Sequence, residues 1–185
     1  MGAILMKNGA RQISTYDNLS DDGSDSSSNA IVLQLVAGDK VYMELWDDAA
    51  PKIAFSASLS NSGYVYRGPS ADKILVFKRV FSNTGNGYNQ YIGIFTAPVN
   101  GLYYFSFSTY GYNSHNMGAI LIKNGVHQVS IYDHRSADAS DSSSNAIVLQ
   151  LVAGDKVHME LWDDSRVFDN LSGHTTFSGF VLFTV

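Results

Sequence analysis

The sequence predicts an all-β protein: a ten-stranded jelly-roll sandwich of two antiparallel sheets. Three observations carry this. Apolar and polar residues alternate with period two along most of the chain, and helical spacing is almost absent. Eleven Tyr, ten Phe and sixteen Gly against three Pro suit many short strands joined by tight turns. Several strands are apolar on both faces, so a second sheet or a partner subunit must cover the side that does not face the core.

The strands follow in order. Residues 53–58 alternate around Phe55. Segments 74–77 and 79–82 come next, with Lys78 and Arg79 read as a solvent face with alkyl packing. The loop Asn83-Thr84-Gly85-Asn86-Gly87 leads to strand 90–95, and Pro98-Val99-Asn100-Gly101 turns the chain into strand 101–110. In that strand Leu102 and Tyr104 point one way while Tyr103, Phe105 and Phe107 point the other. Strands 117–123 and 127–132 flank Asn124-Gly125, a hairpin signal because both residues accept positive φ. Strands 145–152 and 156–162 flank Ala153-Gly154-Asp155. The last strand, 176–185, sets Phe177, Val181 and Phe183 against Phe180 and Leu182, and its apolar character implies a central place in a sheet.

Residues 1–48 repeat residues 117–164 at a constant offset of 116, with ten differences and 38 identities. The period is that of a domain and not of a 20–50-residue solenoid. The expected organisation is a partial duplicate at 1–48, a junction at 49–51 and a complete domain at 52–185. The duplicate holds the equivalents of strands 117–123, 127–132, 145–152 and 156–162 and lacks those of 101–110 and 176–185. Its Ile31, Leu33, Leu35, Met43 and Leu45 would then have no complete second sheet to pack against. The polar segment 18–28 would be the first target for proteolysis.

Composition narrows the function classes. A net charge of −5 disfavours nucleic acid, and there is no basic cluster for an anionic membrane. Absence of Cys rules out a disulfide framework, a thiolate nucleophile and a cysteine zinc site. No apolar run is long enough to span a membrane. Asn18 and Asn170 each open an Asn-x-Ser glycosylation signal. These features suit a soluble extracellular protein. Catalysis is not expected, because no Gly-x-Ser-x-Gly elbow or phosphate loop is present.

Four ordered motifs resemble a known family. They are Ile53-Ala54-Phe55-Ser56-Ala57; Gly93-Ile94-Phe95-Thr96-Ala97-Pro98 with Gly101-Leu102-Tyr103-Tyr104-Phe105; Val148-Leu149-Gln150-Leu151 with Gly154-Asp155-Lys156-Val157; and the closing Phe177-Ser178-Gly179-Phe180-Val181-Leu182-Phe183. Together they resemble the globular head domain of complement C1q, in the C1q and tumour-necrosis-factor superfamily, across residues 52–185. The collagen-like Gly-X-Y stem and the Cys often found between Phe95 and Pro98 are missing. The resemblance implies a secreted, non-catalytic homotrimer or heterotrimer with related chains. Such a trimer would bind microbial-surface, carbohydrate or protein ligands in innate immunity; the alternative is a cytokine-like or synapse-organising ligand that engages a cell-surface receptor.

The same resemblance bears on metal. Some C1q-like trimers hold calcium between an aspartate after a strand-ending Tyr and another eight residues on, and Asp133 and Asp141 match that spacing in a loop read as 133–144. No other cofactor is implied. His115, His127, His134, His158 and His174 form no ligand pair, although His158 and Glu160 share a strand face. Trp162 and Tyr88, Tyr91, Tyr103, Tyr104, Tyr110 and Tyr112 are expected in the core or a subunit interface more than in a sugar-stacking surface.

Overall fold

Alternation becomes strand along most of residues 2–16, 30–46, 51–69, 73–112, 114–137 and 139–185, the residues that the computed structural model describes. The chain divides into two units, Met1–Ala50 and Pro51–Val185. In the first, β1 (Gly2–Lys7), β2 (Ala10–Tyr16) and β3 (Val41–Trp46) form an antiparallel sheet in the order β2-β1-β3.

The second unit has twelve strands among the described residues: β4 (Ala54–Ser58), β5 (Val65–Arg67), β6 (Arg79–Thr84), β7 (Tyr88–Asn89), β8 (Ile94–Thr96), β9 (Gly101–Tyr112), β10 (Met117–Lys123), β11 (Val126–Asp133), β12 (Ser140–Leu151), β13 (Lys156–Leu161), β14 (Val167–Asp169) and β15 (Thr176–Thr184). Five make one sheet in the order β11-β10-β13-β8-β7. Seven make the other, β5-β14-β9-β15-β4-β6, with β12 on the second edge of β9. All strand pairs are antiparallel. The fold is the expected all-β two-sheet sandwich.

Long β9 organises the second sheet. It pairs with β12 over its whole length, from Gly101↔Leu151 to Tyr112↔Ser140. On its other edge β15 pairs as far as Ser108, and β14 takes over at Tyr110. Its inward residues Tyr103, Phe105 and Phe107 meet Phe55, Phe95 and Phe177 in the core. Phe55 stacks on Tyr88 at 4.9 Å and meets Phe177 edge-on at 4.9 Å. Burying each such ring contributes about 1.5–3 kcal/mol.

Several boundaries differ from the sequence reading. Residues 74–77 are not a strand: Ile74 makes one bridge to Glu160, Leu75 N–H donates to Met159 O, and Phe77 N–H donates to the Tyr88 hydroxyl at 3.1 Å. Residues 90–93 form a turn, closed by the Gly93 N–H to Asn89 O bond, so β8 begins only at Ile94. The short strands β5, β7 and β14 have too few residues to show a period. Strand β12 begins at Ser140 and not at 145, because β9 runs on to Tyr112 and supplies backbone partners that far.

The duplicate repeats local structure closely. Gly2↔Tyr16 and Gly118↔Tyr132 are equivalent register pairs, and the bulge at Leu5/Met6 recurs at Leu121/Ile122. Asn8 and Asn124 take φ of 51° and 49° in their Asn-Gly turns. Asp39 lies 3.1 Å from Lys7 Nζ, as Asp155 does from Lys123 Nζ. The Val36 N–H, then the Asn8 amide and Lys7, hold the Asp39 carboxyl down at about 2. The Asn124 amide, then the Val152 N–H and Lys123, likewise lower Asp155.

One segment does not repeat. Residues 31–36, expected as part of a strand, carry none, while 147–151, the equivalents of 31–35, lie in β12. The first unit has no β9 to pair with them. Leu35 is 54% exposed where Leu151 is 0%, and Met43 is 71% exposed where Met159 is 0%. Leaving such a side chain in water forfeits roughly 1.5–3 kcal/mol. The segment 18–28 and the Leu45 side chain lie outside the described residues.

Two outcomes are expected. Deleting residues 1–49 will keep or raise the solubility and melting temperature of the remainder; a remainder that unfolds would show that the first unit completes the second. Asp155→Ala will lower the melting temperature at neutral pH. Because the folded-state pKa of Asp155 is depressed, its contribution is present above the ordinary Asp value of about 3.9. It is lost as pH falls through the lower folded value, so the melting curves of parent and variant should converge there.

Candidate functional site

The outward face of the seven-stranded sheet follows from parity. Residues directly opposite each other across strands point to the same side. Leu102, Tyr104, Ser106, Ser108, Tyr110 and Tyr112 alternate with the core residues of β9. Across from them on β15 lie Phe180 (opposite Tyr104), Ser178 (opposite Ser106) and Thr176 (opposite Ser108). A bulge between Val181 and Phe183 shifts the register and sets Phe183 opposite Leu102. Phe183 therefore joins the outer face, contrary to the strict period that grouped it with Phe177.

This face has three zones. At one end Tyr104 and Phe180 are in ring contact at 5.2 Å, and Leu182, Phe183, Val148 and Val185 are exposed in the same chain region. The middle is a hydroxyl ladder: Ser56 Oγ to Ser178 Oγ at 2.8 Å and Ser108 Oγ to Thr176 Oγ1 at 2.8 Å. At the far end Tyr64, Tyr66, Tyr110, Tyr112 and His174 surround buried Phe168, with centroid distances of 4.9–6.3 Å. The Arg166 guanidinium lies 4.5 Å over the Tyr66 ring. Partial burial pushes the Tyr112 phenol up, and the phenols of Tyr110, Tyr66 and Tyr64 add to that shift.

Buried Asp169 ties the aromatic end together. Its Oδ2 accepts the Ser60 N–H at 2.9 Å and its Oδ1 accepts the His174 N–H at 2.7 Å. One carboxylate thus joins the loop after β4, strand β14 and the chain leading into β15. Sequence reading missed Tyr64, Tyr66, Phe168 and Asp169, because β5 and β14 are three residues long. The repeated Tyr-x-Tyr pattern at 64–66 and 110–112 was the available signal.

The remaining predicted residues fall as follows. Tyr88 and Tyr103 are core, while Tyr91 is exposed. Asp133 ends β11 opposite Met117, and Asp141 lies within β12 opposite Gly111, so the two sit in different sheets. Asp141 is therefore in a strand and not in the acidic loop first assigned to 133–144. Among the described residues no group of three or more His, Cys, Asp and Glu is arranged to hold a metal. Asn18 lies outside the described residues. Asn170 follows β14, and its Oδ1 accepts the Ser172 N–H at 2.7 Å. His158 Nε2 is 2.9 Å from Glu160 Oε1, as their shared face implied. Arg79 lies 4.8 Å over the Phe81 ring.

The sequence pattern of the C1q domain matches residues 54–182, and matches residues 1–65 as well. The chain belongs to the C1q domain family. It is 33% identical over 137 residues to human complement C1q and tumor necrosis factor-related protein 9B, covering 72% of this chain and 40% of that protein. Mouse complement C1q tumor necrosis factor-related protein 3 is 34% identical over 139 residues, covering 71% of this chain and 52% of that protein. The chain thus spans about half the length of these relatives or less. The globular domain of zebrafish complement 1qA protein shares the fold with a TM-score of 0.58 at 24% identity, covering 72% of this chain and 100% of that one. Eiger TNF from S. frugiperda does so with a TM-score of 0.59 at 16% identity, covering 73% and 95%. Members of this C1q domain family are non-enzymatic ligand-binding proteins. Among the described residues no helix is long and apolar enough to cross a membrane.

Proposed function

We propose that residues 52–185 form a complete C1q-like recognition domain, preceded by a partial duplicate at 1–48, and that the domain acts as a secreted trimer in innate immunity. It binds microbial-surface, glycan or protein ligands without catalysis. The observation that carries this is the outward face of β9 and β15. Phe180, Leu182 and Phe183 are exposed there beside Tyr104, on the side of the sheet away from the core. A contiguous apolar face of this kind is expected to be covered by a partner. Heterotrimers with related chains of the same family are part of the proposal.

A second reading has the same trimer engage a cell-surface receptor as a cytokine-like ligand. It draws on the fold shared with Eiger TNF and on the names of the matched relatives. Pull-down on bacterial and glycan surfaces, run beside a receptor panel, separates the two.

Residues 52–185 should scatter light as a stable trimer at micromolar concentration. Phe180→Ser should shift the population to monomer while leaving the strand signal in circular dichroism intact, because Phe180 lies outside the core. A parent protein that is cleanly monomeric would overturn the reading.

We also propose that Asp133 and Asp141 contribute to a calcium site completed by main-chain carbonyls or a neighbouring subunit. Extracellular sites of this kind bind at roughly 10⁻⁴ to 10⁻³ M, so about 2 mM calcium adds on the order of 1–2 kcal/mol per site. Melting with calcium should exceed melting with chelator, and Asp133→Ala or Asp141→Ala should erase the difference. Equal parent melts in the two buffers would sink the site.

A further inference from the structure

We propose that the hollow beside Trp162 binds a sugar ring, an inference that rests on reading the second unit as a recognition module and names its ligand class. The hollow opens at one end of the five-stranded sheet, on the sheet that does not carry the apolar face described above. It measures about 510 Å³ and is lined by Pro69, Lys73, Leu161, Trp162, Asp163 and Asp164. That is within the size range of small-molecule sites.

The indole is built into its place. The Trp162 main-chain N–H donates to Gly118 O at 3.1 Å, which fixes the backbone that carries the indole. A methyl group at Gly118 would lie 2.9 Å from Tyr132 Cδ2 and 3.1 Å from Trp162 Cβ, so the absent side chain makes room for both aromatic residues. Tyr132 and His127 hold Trp162 by ring contacts at 5.9 Å each. After Trp162 the chain turns at once: Ser165 N–H donates to Trp162 O at 3.1 Å, and Asp164 adopts a left-handed φ of 57°. The turn sets two carboxylates beside the indole. Asp163 Oδ1 is 2.7 Å from Lys73 Nζ. Among the described residues the Asp164 carboxylate has no hydrogen bond or ion pair.

This set of groups selects a chemistry. A pyranose has an apolar C–H face and a rim of hydroxyls that both donate and accept. The indole offers an apolar surface, the carboxylates accept, and the lysine ammonium donates. Hydrogen bonds to charged partners are the stronger kind. A phosphate or an acidic peptide would meet two carboxylates. An apolar ligand would strip water from three charges without replacing it. An ammonium ligand would meet Lys73 and only one indole where an aromatic cage is wanted.

The test uses the full chain and the methyl glycosides of mannose, galactose and N-acetylglucosamine, followed by tryptophan emission and ligand-observed NMR. At least one glycoside should bind saturably in the millimolar range. Trp162→Phe and Asp164→Asn should each weaken it about tenfold or more, while Trp46→Phe should leave affinity unchanged. Asn tolerates the left-handed conformation, so the Asp164 variant keeps its turn. No saturable binding by the parent, or equal binding by parent and both variants, would overturn the site. Binding of tetramethylammonium in place of the glycosides would overturn the ligand class. Light scattering on the same samples separates this inference from the one beneath it. Loss of sugar binding with the trimer intact defeats the hollow alone, whereas a monomer that still binds sugar through Trp162 defeats the trimer alone.

Discussion

Pairing along β9 is the interaction on which the rest of the second unit depends. Its twelve residues template β12 on one edge and hold β15 and then β14 on the other. Its inward rings fill the centre of the core. The chain contains its own control for this claim. Residues 31–36 are identical in sequence to residues 147–152, yet only the copy beside β9 is mainly strand. The difference is not propensity, which is the same for the same residues. It is the availability of backbone partners and of a second layer against which Leu and Met side chains can leave water.

What did survive in the duplicate is equally informative. Strands β1, β2 and β3 keep the register, the bulge and the Asn-Gly turn of β10, β11 and β13. The hairpin and its Asn-Gly turn close over a few residues, and the third strand joins it from about 30–40 residues on. An aspartate that accepts from a nearby backbone N–H also accepts from an asparagine amide 31 residues away and pairs with a lysine, tying the third strand to the hairpin in both copies. Pairing within one three-stranded sheet formed in both copies, and packing against a second sheet is described for only one of them.

The two sheets of the second unit present different chemistry outward. The seven-stranded sheet shows aromatic groups at both ends of a hydroxyl ladder. Asp169 is central to the tyrosine end: a single buried carboxylate accepting from Ser60 and His174 N–H groups draws three chain segments together. Without this acceptor the Ser60 N–H would be buried unpaired, at a cost of about 1–3 kcal/mol. The five-stranded sheet shows charged and aromatic residues around Trp162. A face suited to burial and a face suited to a wet, reversible ligand thus lie on opposite layers of one domain.

The sequence alone determined the fold class, the central place of the last strand, the Asn-Gly turns, the duplication and the family, because these rest on alternation, turn residues and ordered motifs that act over short spans. It also placed His158 and Glu160 on one face of one strand, where they lie 2.9 Å apart. Tertiary structure decided the rest. Phe183 changed faces through a bulge that no period reveals. Asp133 and Asp141, eight residues apart in sequence, went to different sheets because β9 drew Asp141 into β12. Tyr64 and Tyr66 met Tyr110 and Tyr112 only through β14, three residues that pair with both β5 and β9. Each of these outcomes depends on contacts between residues distant along the chain, and alternation within a segment carries no information about which distant edge will pair with it.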